Sequence, residues 1–240
     1  MTPRPRLETV AFDSLIVRLF DAIDEAHMPW VLAATNAIRQ RLGDAALEVV
    51  PSYTTVLVQI DIQRLSLAEA RTRLMAALDG LSPQAAEQGT LHEIPVWYDP
   101  SVGPELTLMA RRSGMTVEEV VRRHCARDYS VFALGFAPGY GFMGLVEDAL
   151  ATPRLKTPRQ KVAAGSVGIA DRQTAVYPAP SPGGWNLIGR TAVKLFDRER
   201  EGYTLFKPGD RVRFVAIDRA TFEAQGGDTT PQPPAEESGA

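Results

Sequence analysis

The chain has 240 residues, of which 45% are hydrophobic, and a formal net charge of −3 from 26 Lys and Arg against 29 Asp and Glu. This composition excludes a generally disordered chain, and the length allows one large domain or two modest ones. The slightly acidic balance argues against nucleic acid as a partner, because neutralising phosphates needs a basic face.

No apolar run approaches the roughly 18 residues of a membrane span, so we expect no membrane partner. The single cysteine, Cys125, cannot form an intramolecular disulfide. This pattern is typical of a reducing compartment. We therefore expect a soluble, cytoplasmic protein.

The first ninety residues alternate between strand-like and helical patterns. The Ser-x-x-Glu pair Ser66 and Glu69 predicts a reciprocal helix cap that satisfies two backbone amides. The elements predicted before that cap are a strand over Ser14–Phe20, a helix over His27–Leu42 and a strand-like stretch over Leu47–Ile60. This order predicts a small sheet with helices on one face.

The remainder begins with a strand over Leu91–Tyr98, which Pro95 assigns to a sheet edge because proline cannot donate to a ladder. Two short helices, over Gly103–Arg112 and Thr116–Ala126, come next. About six short strands between Tyr129 and Ile217, punctuated by Pro and Gly, predict a closed or nearly closed barrel. The last fifteen residues lack apolar periodicity, which predicts disorder.

The predicted fold class is α+β, a small N-terminal α/β sandwich domain followed by a C-terminal β-barrel. We expect the N-terminal domain to span residues 1–90 and the barrel domain 91–222. Residues 223–240 form the expected disordered tail.

Two glycine motifs fail in their sequence context. Gly139-x-Gly141-x-x-Gly144 follows a predicted strand, but no helix begins there and no acidic residue stands about twenty positions later, so a dinucleotide site is not expected. Gly165-Ser166-Val-Gly168 approaches the nucleophile elbow, but a turn and a strand follow instead of a helix. Ser166 is therefore expected to be a turn hydroxyl that bonds its own backbone. No Walker-type ATP motif occurs.

The histidines give little support for a metal site, because the chain has only three, far apart in sequence. His124 follows Val117, Val120 and Val121 on one helical stripe. It is either a hydrogen-bonded core histidine or a ligand-binding one, and the stripe favours the core. Its neighbour Cys125 points about 100° away around the helix, which excludes a nucleophile–base pair.

A basic run, Arg154, Lys156, Arg159 and Lys161, leads into a Gly-Ser turn. It is either a solvated loop or a site for a carboxylate or phosphate, with Arg159 and Lys161 nearest the turn. Trp185 follows two glycines and is either a core residue or a flat wall for a small planar ligand. The sequence also places three aromatic residues in the Gly-rich turn, where we expect them to be exposed and to line a pocket or a partner surface: Phe136, Tyr140 and Phe142.

Three segments, PRLKTPRQKVAAGSVGIADRQTAVYP, SPGGWNLIGRTAVKLFD and KPGDRVRFV, closely resemble the B-subunit family of bacterial 5-oxoprolinase. This family was formerly labelled allophanate hydrolase subunit 1 and includes a sporulation-kinase inhibitor. The resemblance implies an N-terminal α/β domain and a cyclophilin-like barrel. It also implies a hydrolase component of a three-subunit complex that opens 5-oxoproline to L-glutamate with ATP, in which subunits A and C are the partners.

The resemblance leaves two other roles open, the carboxyltransferase half of a urea carboxylase-like enzyme and a non-enzymatic inhibitor of a histidine kinase. Its motif positions, taken here as candidate substrate-binding residues, are His124, Arg159, Lys161, Gly165, Ser166, Gln173, Tyr177, Gly183, Gly184 and Trp185. No catalytic step is assigned to any of them, and no metal is implied. ATP is expected to be used by the complex and not to be bound by this chain alone.

The chain departs from the family pattern between Trp97 and Pro104, where a Cys-Tyr-Gly-Gly-like turn is usual. Opening a lactam requires a site that holds the substrate carboxylate and stabilises negative charge on the reacting oxygens. We expect Arg159 or Lys161 to do the first. Backbone amides of Gly165–Ser166 or Gly183–Gly184 are expected to do the second. Without a nucleotide motif or an evident nucleophile, the chain is expected to be inactive alone.

Overall fold

The computed structural model describes residues 2–83 and 89–235. The chain divides into two compact units, Met1–Gly89 and Thr90–Ala240. Each unit has its own cluster of buried apolar side chains. Across the described ranges, no helix combines the length and hydropathy needed to cross a membrane.

The first unit is a four-stranded antiparallel sheet with two helices. Its elements are β1 (Arg6–Ala11), β2 (Ser14–Arg18), α1 (Met28–Leu42), β3 (Ala46–Ser52), β4 (Thr55–Ile60) and α2 (Leu67–Leu78). The strands lie in the order β1-β2-β4-β3. The predicted cap is confirmed, since Ser66 Oγ accepts from the Glu69 amide while the Glu69 carboxylate accepts from the Ser66 amide. The stretch predicted as strand-like over 47–60 is a hairpin, and the strand over 6–11 was not predicted.

The second unit is built on a closed seven-stranded barrel. The barrel strands are β5 (Leu91–Trp97), β6 (Asp128–Leu134), β7 (Gly141–Gly144), β9 (Ser166–Ala170), β10 (Gln173–Val176), β12 (Asn186–Arg190) and β13 (Arg211–Ile217). The other elements are α3 (Leu106–Ser113), α4 (Val117–Cys125), α5 (Arg219–Ala224) and a two-stranded ribbon of β8 (Arg159–Val162) and β11 (Ser181–Gly183). The order β10-β7-β6-β13-β5-β12-β9 closes on itself. The predicted α+β class with a C-terminal barrel is confirmed.

The predicted edge position of Pro95 is wrong, because β5 lies between β13 and β12 inside the closed barrel. Its pairing with β13 is parallel along the whole strand. Its pairing with β12 is confined to Trp97 and Arg190. The strand therefore tolerates a residue without an amide proton, since one side of it makes few ladder bonds.

The structure corrects the expected disorder for residues 223–235, since α5 extends to Ala224 and the residues after it make specific hydrogen bonds; residues 236–240 lie outside the described residues. Gln232 is buried, and its amide accepts from the Ala163 backbone amide at 2.9 Å and donates to the Lys161 carbonyl at 3.1 Å. Arg190 donates to two carbonyl oxygens of the segment at 2.7 Å each. Polar contacts hold this segment, which is why a search for apolar periodicity missed it.

Candidate functional site

His124 lies in the barrel core, which confirms the core interpretation and removes this residue from the candidate site. Thr174 Oγ1 donates its proton to the Gly168 carbonyl, so it accepts from His124 Nε2, which lies 3.0 Å away. The other ring nitrogen, Nδ1, therefore carries no proton and accepts from the Tyr98 hydroxyl at 2.7 Å. The ring is fully buried and stacks on Phe214 at 4.5 Å. Burial lowers the pKa of His124 to about 3 and raises that of Tyr98, so the imidazole stays neutral and the phenol keeps its proton.

We expect the buried neutral imidazole to make stability depend on pH. In the unfolded chain His124 takes a proton below about 6.5, whereas in the folded chain it does so only near 3. The free energy of unfolding should therefore fall as pH decreases between these values, by up to about 1.4 kcal/mol per pH unit from this group. Urea unfolding of the wild type and His124→Gln at pH 4.5 to 7.5 measures the difference in slope. Parallel pH profiles would contradict the assignment.

Arg159, expected to hold a substrate carboxylate, is instead buried in an ion pair. Its Nη2 donates to Glu105, and both side chains are 5% exposed. Its Nε donates to the Pro233 carbonyl at 3.2 Å. Glu105 accepts in addition from the Leu187 amide at 2.9 Å. The guanidinium therefore links β8 to Glu105, the residue that precedes α3, and the expectation that Arg159 presents free donors to a ligand is wrong.

Lys161 is exposed on β8 and lines a surface depression together with Arg159 and with Gln232 and Pro233 of the C-terminal segment. Trp185 lines a different pocket. The structure thus does not bring Arg159, Lys161 and Trp185 together in one cleft. Gln173 is half-buried at the start of β10, where it pairs with Ala170 of β9.

Gly165 and Ser166 are structural rather than oxyanion-stabilising. The Gly165 amide donates to the Tyr177 carbonyl at 2.7 Å, and the Ser166 amide donates to the Ala163 carbonyl at 3.3 Å. Both amides are therefore occupied, which corrects their predicted role. Ser166 is the first residue of β9, and among the described residues its buried hydroxyl has no partner, so the expected bond to its own backbone is not formed.

An aromatic pocket of about 190 Å³ is lined by four of the candidate substrate-binding residues, Tyr177, Gly183, Gly184 and Trp185. The rings of Tyr177 and Trp185 line it, and the centroid of the Tyr140 ring lies 5.4 Å and 6.0 Å from their respective centroids. Gly183 is required here because a Cβ would lie 2.2 Å from the Tyr177 hydroxyl. Gly184 lines the same pocket. The structure therefore brings Tyr177, Gly183, Gly184 and Trp185 together in one pocket, and their role in substrate binding stays a prediction.

The three aromatic residues of the Gly-rich turn differ in exposure. Phe136 is 64% exposed, as expected, but Phe142 is half-buried and Tyr140 is buried. The expectation of an exposed trio is therefore wrong for Tyr140, whose ring is enclosed by Phe142, Tyr177 and Trp185.

A second cavity, which we call the basic cleft, adjoins the aromatic pocket and measures about 560 Å³. Arg154 and Leu155 line both cavities. The Arg154 guanidinium lies 5.9 Å from the centroid of the Trp185 ring. The polar residues that line the basic cleft include Arg111 and Arg112 of α3, Arg154 and Lys156 of the irregular loop before β8, Glu105 and Asn186. The cleft therefore offers cationic groups beside an aromatic wall, an arrangement suited to a small planar acid.

Four residues of this arrangement were not singled out from the sequence: Glu105, Arg111, Arg112 and Asn186. The neighbouring pair Arg111-Arg112 at the end of a short helix was a visible signal, although surface arginines are too common for it to decide. Asn186 directly follows the Gly-Gly-Trp motif and could have been included with it. Nothing in the sequence around Glu105 indicated its partner 54 residues later.

Residues 5–206 match the profile of the family described as "Carboxyltransferase domain, subdomain C and D". A protein of Bacillus subtilis (strain 168), named as the B subunit of 5-oxoprolinase, is 33% identical over 234 residues, an alignment that covers 93% of this chain and 98% of the relative. A second protein of the same name, from Escherichia coli O157:H7, is 39% identical over 199 residues, covering 80% of this chain and 89% of the relative.

Among solved structures, that of TTHA0988 superposes with a TM-score of 0.75 at 38% identity. It covers 92% of this chain, whereas this chain spans only 41% of the TTHA0988 chain. The K. lactis urea amidolyase superposes with a TM-score of 0.76 over 95% of this chain and 16% of its own length. At 16% identity, this second likeness shows a shared fold.

Proposed function

The chain belongs to the B-subunit family of 5-oxoprolinase, and from that premise we propose that it is the B subunit of a complex that opens 5-oxoproline to L-glutamate with ATP. The observation that carries the proposal within this chain is the basic cleft joined to the aromatic pocket at Arg154. A five-membered lactam bearing a carboxylate is small, flat and anionic. It matches a cationic cleft with an aromatic side.

The proposed reaction proceeds by transfer of the γ-phosphoryl group of ATP to the lactam oxygen, which releases ADP and makes C5 electrophilic. Water then adds to C5, the C5–N bond breaks and the nitrogen takes a proton. A second water releases phosphate from the resulting γ-glutamyl phosphate. In this scheme the cationic side chains of the basic cleft hold and orient the substrate carboxylate. Positive groups also stabilise the negative charge that develops on the phosphorylated oxygen.

The proposal includes partner subunits, A and C, and inactivity of the chain alone. Phe136 supports a docking role, since it is 64% exposed and its backbone lies in the left-handed region at φ 69°, which is costly for a bulky residue. An exposed aromatic beside a pocket is typical of interface anchors. We propose that this part of the pocket rim contacts the C subunit. The cytoplasmic location expected from the sequence remains a prediction.

The test is co-expression of the tagged chain with subunits A and C, followed by an assay of ATP-dependent glutamate formation from 5-oxoproline. We expect turnover by the three-subunit mixture and none by the chain alone. Turnover by the purified single chain would contradict the proposed division of labour. Association with a biotin carboxylase would indicate the urea carboxylase-like role, and association with a histidine kinase the inhibitor role.

A further inference from the structure

The basic cleft carries an excess of positive charge that the described part of the chain does not neutralise. Within residues 2–83 and 89–235, Arg111, Arg112, Arg154 and Lys156 form no ion pair. Among the described residues that line the cleft, Glu105 alone is acidic, and its carboxylate is already bound by Arg159 and by the Leu187 amide. The cleft is therefore complementary to an anion. A carboxylate is bound best when two N–H groups of one arginine guanidinium lie in the carboxylate plane and donate to its two oxygens.

Asn186 adds a second and independent requirement. It is the first residue of β12, lines the basic cleft and is 1% exposed. Its Nδ2 donates to the Pro153 carbonyl at 2.9 Å and to the Ile169 carbonyl at 3.1 Å. These two acceptors fix the orientation of the amide, because the reverse orientation would place oxygen against oxygen.

The fixed orientation leaves Asn186 Oδ1 as an acceptor for which the described part of the chain supplies no donor. Buried polar atoms in proteins are almost always hydrogen-bonded, and an unsatisfied one calls for an explanation such as a ligand or an ordered water. A ligand that satisfies this atom must bring an N–H or O–H donor. An anion that lacks such a donor, such as a simple carboxylate, would leave it unpaired.

We propose that the basic cleft binds a small cyclic amide acid, with the carboxylate held by Arg154 and its cationic neighbours and the ring N–H donated to Asn186 Oδ1. This inference rests on the proposed function and deepens it by assigning the recognition of the lactam nitrogen to one residue. It makes Asn186 the specificity-determining residue of the chain. The loop that carries Pro153 and Arg154 couples the two contacts, since Asn186 anchors its backbone while Arg154 faces the cleft.

The experiment is calorimetric titration of the purified chain with 5-oxoproline and with its lactone analogue, 5-oxotetrahydrofuran-2-carboxylate, in which oxygen replaces the ring N–H. The wild type is expected to bind the lactam at least about tenfold more tightly than the lactone, because the lactone leaves the buried acceptor unpaired. Arg154→Gln should weaken both ligands by a similar factor and keep their ratio. Asn186→Leu should bring the ratio close to one.

Equal affinity of the wild type for lactam and lactone would overturn the proposal and indicate that a water satisfies Asn186 Oδ1. Failure to bind either ligand would overturn it as well. The comparison of ligands on the wild type decides the matter even if Asn186→Leu does not fold. If the chain fails this test while the three-subunit complex still forms glutamate from 5-oxoproline, the proposed function stands and the assignment of Asn186 falls.

Discussion

Replacing Glu105 with alanine is expected to lower the free energy of unfolding by about 3–5 kcal/mol, because the substitution leaves the Arg159 guanidinium buried without a counter-charge. It also removes the acceptor of the Leu187 amide. Arg159→Ala should have a comparable effect by leaving Glu105 unpaired. Urea unfolding followed by tryptophan fluorescence measures both.

The matched controls for this prediction are Lys161→Ala and the double variant Glu105→Leu with Arg159→Met. Lys161 is exposed on the same strand as Arg159 and forms no ion pair with any described residue, so its replacement should change stability by less than about 0.5 kcal/mol. The double variant should recover much of the loss, since a well-packed apolar pair can replace a buried ion pair. A cost below about 1 kcal/mol for Glu105→Ala would show that the pair is unimportant.

This prediction changes how a loss of activity in Arg159 variants is interpreted. The sequence offered Arg159 or Lys161 as the carboxylate ligand, and an inactive Arg159→Ala would have supported that role for Arg159. With Arg159 paired to Glu105, the same result follows from a weakened barrel. Activity data on this residue therefore need a parallel measurement of stability.

Replacing Gly165 with alanine is the second substitution expected to have a large effect. Gly165 has φ +77°, and a Cβ there would lie 2.1 Å from the Thr191 carbonyl oxygen. The left-handed backbone alone costs an alanine about 1–2 kcal/mol. The clash is with backbone that is itself hydrogen-bonded to Gly165, so relieving it must separate the turn before β9 from the end of β12. We expect a loss of more than about 3 kcal/mol in the free energy of unfolding.

Gly202 provides the control, because its φ is +75° and a Cβ there would meet nothing within 4 Å. Gly202→Ala should therefore show the backbone cost without the clash. The difference between the two variants in thermal or urea unfolding isolates the contact with Thr191. Similar losses for Gly165→Ala and Gly202→Ala would mean that the turn adapts and that the close approach is not required.

Local features of the fold could be predicted from the sequence, whereas pairings distant in sequence could not. The Ser66–Glu69 cap is complete within four residues, so its chemistry is visible in the sequence. The Arg159–Glu105 pair joins residues 54 positions apart, and no periodicity reports such a contact. The C-terminal segment shows the same limit, since Gln232 is held by Lys161 and Ala163 and contributes no apolar pattern of its own.

The candidate site divides in the same way. Tyr177, Gly183, Gly184 and Trp185 are close in sequence and share one pocket, so the Gly-rich motif identified them together. Asn186, Arg111 and Arg112 became candidates only from the structure, in which they line the same cleft as the loop before β8. The sequence singled out the basic run with Arg159 and Lys161 as its leading members, whereas the member that lines both cavities is Arg154.

The measurement that tests the account most directly is kcat/KM for 5-oxoproline in the reconstituted three-subunit complex, comparing Arg154→Gln with Lys161→Gln. If the basic cleft holds the substrate carboxylate, Arg154→Gln should lower kcat/KM by about tenfold or more through the loss of a charge-assisted hydrogen bond, while Lys161→Gln stays within about twofold of the wild type. Unchanged kcat/KM for Arg154→Gln, with a large fall for Lys161→Gln, would contradict the account. That result would indicate that the substrate binds at the exposed surface of β8 instead of in the basic cleft.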